Sequence, residues 1–244
     1  MISVIIITKN EQDSIADCLR SVAWADEIIV VDSGSTDETV NICKTFGVKV
    51  TITEDWPGFG QQKNRALALA TQPWVLSVDA DERVTPELAA EIQQMISFNA
   101  DVSYKMPRSS SYCGQFIKHS GWSPDYVTRL FKRGFAAFSD DLVHERLITQ
   151  HPTQILKNPL LHISYTSLEE VLDKVNRYSS AGAAMSLARG KSASLSTAIL
   201  HGVWAFIRTY FIRLGFLDGK MGFILAVSNA ETTYYRYLKL SLLS

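Results

Sequence analysis

The first hundred residues alternate between continuous apolar runs and segments with apolar positions at helical spacing. Residues 2–8 (ISVIIIT) and 27–31 (EIIVV) are rich in β-branched side chains, the pattern of strands buried on both faces of a parallel sheet. Residues 48–52 and 74–78 (WVLSV) indicate two further strands, and residues 11–23 have the spacing of a helix. Regular alternation of strands and helices predicts a parallel α/β sheet.

After residue 100 the pattern becomes less regular. Strand-like segments at 102–106, 127–131 and 160–165 are separated by loops rich in Ser, Gly and Pro, which predicts a mixed-sheet half. We expect no internal repeat.

Two capping boxes predict where helices begin. Ser35 with Glu38, and Ser167 with Glu170, have the spacing at which a hydroxyl and a carboxylate satisfy the first N–H groups of a helix. The second of these helices is long and is expected to end near Gly190, since glycine is favoured just beyond a helix C-terminus.

The tail from residue 195 is apolar and aromatic, with Arg208 and Arg213 interposed. Its longest uncharged stretch, 192–207, falls short of the roughly 20 apolar residues that span a bilayer. We therefore expect a helical hairpin that lies against a membrane rather than crossing it. A docked helical cap with an ordinary solvated basic face is the alternative.

Length and composition predict a folded protein of reducing surroundings. The chain has 244 residues, 46% hydrophobic and 20% charged, which excludes a mainly disordered protein. Its three cysteines are widely spaced and offer neither a disulfide framework nor a zinc site, which suits the cytoplasm. The N-terminus leads directly into an apolar strand, so we expect no signal peptide.

The distribution of charge is more informative than the net charge of −1. Residues 1–100 contain 15 acidic and 7 basic residues, which argues against a nucleic-acid-binding surface there. Residues 189–244 contain 7 basic and 2 acidic residues. A basic, aromatic-rich tail favours an anionic surface as partner, and a membrane is the first candidate.

Polar side chains follow three of the predicted strands. Residues 8–11 (TKNE), 32–37 (DSGSTD) and 79–82 (DADE) each stand at the carboxyl end of a strand. Because ligands of open parallel sheets bind at the carboxyl ends of the strands, we expect these three segments to converge on one crevice.

The third of these segments has the composition of a metal site. The carboxylates of Asp79 and Asp81, separated by Ala80, suit Mg²⁺ or Mn²⁺ shared with a diphosphate. A solvated turn that caps the helix beginning at Pro86 is the bland alternative. Asp32 resembles the ribose-binding acid of dinucleotide folds, but the first turn lacks the glycines that such a phosphate loop requires.

Four segments, in this order and spacing, resemble the inverting family 2 glycosyltransferases of the GT-A fold. They are Thr8 with Asn10 and Glu11, residues 32–37, Gly60 with Lys63, Asn64, Ala66 and Leu67, and residues 79–82. Later segments resemble one subgroup, the bacterial lipopolysaccharide core β-1,4-glucosyltransferases and their relatives. These segments are Trp122, residues 129–131 (RLF), 143–145 (VHE), 161–165 (LHISY) and 214–219 (LGFLDG).

The resemblance implies a set of site residues. The implied nucleotide-sugar-binding residues are Thr8, Asn10, Glu11, Asp32, Ser33, Gly34, Lys63, Arg65, Asp79, Ala80 and Asp81. The implied metal ligands are Asp79, Asp81 and His162; a histidine on such a strand is equally often a satisfied core residue. The family's usual acid pair is not matched here, so we favour Glu145 as the base, with Asp140 or Asp141 as the fallback.

The resemblance also implies an organisation and an activity. We expect a GT-A catalytic domain over 1–166, with a nucleotide-sugar-binding half (1–100) and an acceptor half (101–166), and a membrane-associating helical region over 167–244. The implied reaction transfers glucose from a UDP-sugar, with inversion, to a lipid-linked saccharide, the inner core heptose of lipopolysaccharide. Its implied place is the cytoplasmic face of the bacterial inner membrane.

Three alternative activities are open. A polyprenyl-phosphate glycosyltransferase resembles the chain over the first hundred residues only. A non-catalytic GT-A-like binding protein predicts loss of the metal-site acids, which are present. A phosphohydrolase usually needs its acid pair at the first strand, where this chain has Thr8 to Glu11.

Overall fold

The computed structural model describes residues 1–140 and 145–243. It divides the chain into two compact units. The first comprises Met1–Arg108 and Tyr126–His162, and the second comprises Ser109–Asp125 and Ile163–Ser244. This division differs from the expected one, since residues 109–125 and 163–166 fall in the second unit instead of the predicted acceptor half.

Strands and helices alternate along the first unit and give way to helices in the second. The elements of the sheet half are β1 (Ile2–Thr8), α1 (Ile15–Ser21), β2 (Glu27–Asp32), α2 (Thr39–Thr45), β3 (Lys49–Ile52), α3 (Phe59–Leu69), β4 (Trp74–Asp79), β5 (Glu82–Val84), α4 (Pro86–Ser97), β6 (Ser103–Tyr112), β7 (Gln115–Phe116), β8 (Tyr126–Lys132), β9 (Ala136–Phe138), β10 (Leu147–Thr149), β11 (Thr153–Ile155) and β12 (Leu160–Tyr165). The helices that follow are α5 (Leu168–Ala188), α6 (Leu195–Ile207), a π-helical segment (Arg208–Ile212), a 3₁₀ turn (Gly215–Asp218) and α7 (Gly219–Leu243).

The main sheet is mixed. Its strand order is β3-β2-β1-β4-β8-β6-β12-β5, with β11 and β7 added to β6, while β9 and β10 form a separate hairpin. The strands β3, β2, β1 and β4 are parallel to one another, and β8 is antiparallel to β4. The predicted mixed α/β fold, with a sheet flanked by helices and a C-terminal helical region, is confirmed.

The central strand explains the continuous apolar run at the start of the sequence. All seven residues of β1 are buried, because both faces of the strand are covered. Val4 and Ile6 belong to one core cluster, and Ile5 and Ile7 belong to a second one on the other face, with Ala66 of α3. This double burial holds the carboxyl end of β1 rigidly beside its neighbours.

The two predicted capping boxes have different outcomes. The hydroxyl of Ser167 accepts from the amide of Glu170 at 3.2 Å, and the helix α5 that it starts ends at Ala188, as predicted. The prediction at Ser35 was wrong, because α2 begins only at Thr39. The Ser35 hydroxyl instead donates to the carboxylate of Asp32 at 2.5 Å within the preceding turn, and it does not cap α2.

The tail forms two packed helices, α6 and α7. A Cβ added at Gly202 of α6 would lie 3.0 Å from the Cβ of Tyr234, so the two helices touch backbone to side chain there. The segment Leu195–Ile212, with a mean hydropathy of 1.2, is long and apolar enough to cross a membrane by length and composition alone. The uncharged stretch 192–207 was predicted to be too short to span a bilayer. The helical segment continues beyond it, through Arg208 to Ile212, and this gives the longer span.

Candidate functional site

The three polar strand ends lie side by side at one edge of the parallel strands. The register pairs Thr8 with Asp32 and Ile7 with Asp79, so β1, β2 and β4 end at the same level. The convergence expected from the sequence is therefore present in the fold, and it follows from parallel pairing of strands of similar length.

Hydrogen bonds join the first two of these strand ends. Asn10 has a left-handed backbone (φ 55°); its amide donates to the Ser35 hydroxyl at 2.8 Å, and its Oδ1 accepts from the amide of Thr36 at 2.8 Å. The amide of Glu11 donates to the Thr39 hydroxyl at 2.8 Å. Asn10 thus shapes the turns that form the rim of the crevice.

Asp32 is the centre of the second turn. Its buried carboxylate accepts from the amides of Gly34 at 2.9 Å and Ser35 at 2.8 Å, and Gly34 adopts the positive φ (75°) that the turn requires. The neighbouring Ser33 hydroxyl accepts from the buried amide of Gln62 at 2.9 Å. Gln62 was not singled out from the sequence, although a fully buried glutamine beside the strand ends holds this turn in place.

Thr8 carries a polar atom in need of a partner. The residue is buried, and its hydroxyl makes no hydrogen bond with any of the residues that the structure describes. Buried hydroxyls are normally paired, so such an atom at the end of β1 is consistent with a site that receives a polar ligand.

A buried ionic network surrounds Asp79. Its carboxylate contacts the guanidinium of Arg129 and lies 2.9 Å from the Lys63 ammonium. Burial raises the pKa of Asp79, but Arg129 and Lys63 outweigh it and hold that pKa far below its usual range. Burial also raises the pKa of Glu82, whose carboxylate accepts from Arg129 at 2.7 Å. Asp79 therefore stays ionised, with its charge already neutralised by two cations.

Arg129 is the site residue that sequence reasoning missed. It was noted only as part of a family segment, yet it is buried and contacts both Asp79 and Glu82. The signal was a charged residue within the half-apolar strand 126–132 (YVTRLFK), since arginine is almost never fully buried unless it is paired.

Lys63 joins the strand ends to the segment that contains the predicted base. The buried ammonium of Lys63 lies 2.9 Å from Asp79 and 2.8 Å from Oε1 of Glu145. Glu145 is therefore brought close to the strand-end carboxylate of Asp79, as the second ion-pair partner of the same lysine. Asp140 is exposed, and Asp141 lies outside the described residues.

The segment beginning at Gly60 now has a structural explanation. A Cβ at Gly60 would come within 1.8 Å of the carbonyl oxygen of Ser139, so only glycine allows α3 to lie this close to the chain after β9. The Asn64 amide donates to the carbonyl of Phe138 at 2.8 Å and accepts from its N–H at 2.9 Å. Glycine and asparagine dock the helix, and this places Lys63 between the two acids.

Arg65 is placed differently from Lys63. It makes a two-pronged contact with the carboxylate of Asp55, with both N–O distances at 2.7 Å, and both side chains are substantially exposed. This pair joins the middle of α3 to the loop that precedes the helix. The predicted role of Arg65 in nucleotide binding stays a prediction.

Asp81 and His162 lie close together beside the strand ends. The antiparallel register of β5 with β12 sets His162 opposite Glu82, and the Nε2 atom of His162 lies 3.2 Å from Oδ2 of Asp81. The Asp81 side chain is 33% exposed. Ala80, between Asp79 and Asp81, is buried, and its carbonyl accepts from Arg83 at 2.9 Å, which fixes the turn.

Glu11 is a second acid on the Asp81 side of the crevice. Burial, followed by repulsion from Asp81, raises the pKa of Glu11 to about 7. The contribution from Asp81 shows that the two carboxylates lie close enough to repel each other, and a cation bound between them would relieve that repulsion.

The residues present fit a divalent metal that is shared with its ligand. Within residues 1–140 and 145–243 no group of three or more His, Cys, Asp and Glu side chains is arranged to enclose a metal ion. Asp81 and His162 would supply two ligands, and Mg²⁺ or Mn²⁺ usually keeps its other positions for phosphate oxygens and water. Asp79, expected as a third ligand, has its carboxylate held by Arg129 and Lys63.

The chain is similar to known proteins in sequence and in fold. The family described as Glycosyl transferase family 2 matches residues 3–153. An uncharacterized glycosyltransferase of Rickettsia prowazekii is 34% identical over 256 residues, covering 100% of this chain and 87% of the relative. The lipopolysaccharide core biosynthesis glycosyltransferase LpsC of Rhizobium meliloti is 28% identical over 255 residues, covering 97% and 93%. Among solved structures, S. aureus TarS in complex with UDP-GlcNAc has a TM-score of 0.51 at 20% identity, covering 68% of this chain and 59% of that one.

The fold and the strand-end carboxylates define an α/β protein of the GT-A class. The chain belongs to glycosyl transferase family 2, and it is a glycosyltransferase.

Proposed function

We propose that the protein transfers glucose from UDP-glucose to a lipid-linked saccharide, the inner core heptose of lipopolysaccharide, with inversion at the anomeric carbon. The observation that carries the donor half is the meeting of Asp81, His162 and Glu11 beside the ends of β1, β2 and β4. The acceptor half is supported by likeness to LpsC, named for lipopolysaccharide core biosynthesis, over 97% of this chain. UDP-GlcNAc is the nucleotide sugar in the TarS complex.

The donor would be held by charge and by the rigid turns. Asp81 and His162 would hold Mg²⁺ or Mn²⁺, which neutralises the negative charge that develops on the departing diphosphate. Thr8 and the turn at Asp32 would receive the nucleoside, since Gln62 and the turn amides fix their positions before the donor arrives. Glu11 would lie beside the bound metal, whose charge would lower the raised pKa of this carboxyl group and favour its ionised form.

The transfer itself needs one base on the face of the sugar opposite the diphosphate. Glu145 would remove the proton from the acceptor hydroxyl as that oxygen bonds to the anomeric carbon and the bond to UDP breaks. Its contact with Lys63 at 2.8 Å means that the base shares a cation with the donor site.

A donor panel tests this proposal directly. The purified protein is incubated with UDP- and GDP-sugars, with and without Mn²⁺, and its thermal stabilisation and nucleotide release are followed. Metal-dependent stabilisation by one UDP-sugar is expected, because ligands that bind the native state raise its apparent stability. Indifference to every nucleotide would overturn the donor assignment, and release of sugar phosphate without transfer would favour a hydrolase.

Replacement of the proposed base should greatly reduce turnover without loss of binding of the sugar donor. Glu145→Gln keeps an oxygen for Lys63 but cannot accept the proton, so kcat should fall by roughly 10²–10⁴. The measurement is the rate of transfer alongside UDP-sugar binding by calorimetry. Asp140→Asn is the matched control and should leave the rate near wild type; a large loss there, with an active Glu145→Gln, would move the base to Asp140.

Exposed apolar side chains in the second unit support a position of the protein at the membrane surface. In α6 and the segment after it, Leu200 is 69% exposed and Trp204 is 53% exposed, close to the basic Arg208 and Arg213. An apolar helical face flanked by arginines suits the boundary of anionic lipid head groups and acyl chains. We place the protein on the cytoplasmic face of the bacterial inner membrane, where a lipid-linked acceptor is reached.

Vesicle binding tests this placement. The double variant Leu200→Glu with Trp204→Glu should weaken sedimentation with anionic phospholipid vesicles by at least about tenfold, since each large apolar side chain contributes roughly 1.5–3 kcal/mol on burial. Gln93→Glu with Gln94→Glu, on the exposed face of α4, adds the same charge and should bind normally. Equal binding by both double variants would contradict the proposal.

A further inference from the structure

The second unit contains a pocket whose walls are aromatic. Its volume is 220 Å³, and four of its lining residues are Tyr112, Trp122, Tyr165 and Tyr178. Drug-sized ligands occupy roughly 300–1,000 Å³, so this pocket is matched to a single ring rather than to a nucleotide. The donor site does not use it, since its residues belong to the second unit.

The floor of the pocket is rigid. Tyr112 is buried, and its hydroxyl lies 2.8 Å from the Ser228 hydroxyl of α7. The ring of Tyr112 packs edge-on against Trp122, with centroids 5.8 Å apart, and lies 5.5 Å from the ring of Tyr165. Aromatic pairs at these distances stabilise one another, so the floor holds its shape before any ligand binds.

The upper walls combine aromatic rings with polar groups. Trp122 and Tyr165 are only partly buried, and Tyr178 of α5 is 62% exposed. On the opposite wall α7 presents Asn229 and Thr232. The face of a sugar ring carries C–H groups that pack on aromatic rings, while its hydroxyls pair with amides and hydroxyls. This combination suits a saccharide better than a purely apolar ligand.

The charge of Lys174 determines which ligand charge the pocket favours. Its ammonium lies 4.4 Å from the centre of the Tyr165 ring, and it is the one charged side chain among the described residues that line the pocket. The carboxylate of Glu170, one helical turn before Lys174, attracts its ammonium, and it also accepts from the amide of Thr166 at 2.8 Å and from the Thr166 hydroxyl at 2.6 Å, which share its charge. An aromatic pocket otherwise suits cations, but a lysine already placed over a ring repels them and favours an anion.

We propose that this pocket is a subsite for one sugar ring that carries a carboxylate or a phosphate group. The ring packs on Trp122 and Tyr178, and its anionic group pairs with Lys174. The identification of this sugar as part of the acceptor rests on the proposed function. Binding of the isolated anionic sugar does not rest on it.

Ligand-observed NMR of the whole protein tests the subsite with four probes, namely glucuronate, glucose 6-phosphate, glucose and inorganic phosphate. Saturation transfer should appear for the two anionic sugars at millimolar concentration, with glucose at least about tenfold weaker, because a charge-assisted hydrogen bond is lost. Lys174→Met should lower the affinity for the anionic sugars by about tenfold, and Tyr178→Ala should weaken all three sugars. Arg177→Met, on the same helix and exposed, is the matched control and should bind as wild type.

Each outcome separates the subsite from the donor site. No binding of either anionic sugar, or equal binding by Lys174→Met, overturns the inference. Inorganic phosphate that displaces both anionic sugars while glucose itself gives no signal reduces the pocket to an ion site and also overturns it. UDP-sugar stabilisation measured on Lys174→Met should match wild type. If that stabilisation is absent even in wild type while glucuronate binds, the proposed function fails and the subsite stands.

Discussion

Asp81→Asn is expected to lower kcat/KM for transfer by about 100-fold or more, since loss of one contact to the charge that develops in a transition state costs roughly 10²–10³ in rate. The substitution removes an anionic ligand but keeps an oxygen for His162, which lies 3.2 Å away. The Asp81 side chain is 33% exposed, so folding should be unaffected. The assay is initial-rate transfer over a range of Mn²⁺ and UDP-sugar concentrations.

The control for this variant is Asp17→Asn. Asp17 is an exposed carboxylate on α1 whose ion-pair partner is Arg20, and it should retain full activity. The variant Asp81→Asn should also lose the metal-dependent part of its stabilisation by a UDP-sugar. Wild-type turnover with unchanged dependence on Mn²⁺ would show that the metal is held elsewhere.

The same substitution has a second readout at Glu11. Repulsion from Asp81 is one cause of the raised pKa of Glu11, so neutralising residue 81 should move that pKa down from about 7. NMR titration of the Glu11 carboxyl group measures this shift, independently of activity.

Arg129→Met should have the largest effect on stability. It leaves Asp79 and Glu82 without their shared cation in a buried network, and breaking such a network typically costs about 3–5 kcal/mol. Urea unfolding should show a lower midpoint with an unchanged slope. Arg20→Met is the matched control, because it removes one exposed ion pair worth at most about 1 kcal/mol.

The pH dependence of Arg129→Met has a defined sign. Without the guanidinium, burial would raise the pKa of Glu82 further above its unfolded value, whereas Lys63 still lowers the pKa of Asp79, so the folded state binds a proton at Glu82 more tightly. The loss of stability should therefore be smaller below the unfolded pKa and should grow as pH rises through the folded pKa. Glu82→Gln added to Arg129→Met should recover part of the loss; no recovery would show that the destabilisation comes from lost packing.

Sequence alone predicted the sheet and the edge at which polar residues gather. Buried runs such as residues 2–8 leave few other structures open, and parallel strands of equal length must end together. The start of α2 was not predictable, because the Ser35 hydroxyl could cap a helix N–H or bond within the turn, where it donates to Asp32 and accepts from the amide of Asn10. Local spacing cannot decide between such competing hydrogen bonds.

The network around Asp79 shows a second limit of the sequence. Arg129 and Lys63 are 50 and 16 residues from Asp79 along the chain, and only the antiparallel pairing of β8 with β4 and the docking of α3 bring them together. Asp79 therefore looked like a free metal ligand from its spacing to Asp81. Its charge is in fact shared with two cations that spacing does not reveal.

Lys63 lies between Asp79 and Glu145 and forms an ion pair with each, so the two acids depend on each other energetically. One ammonium serves a donor-side acid and the predicted base, so a change to either acid alters how strongly Lys63 holds the other. Substitutions at positions 79 and 145 should then be non-additive in a double-mutant cycle, unlike those at distant positions, whose effects add. In the proposed mechanism, Lys63 would therefore couple occupancy of the donor site to the proton affinity of Glu145.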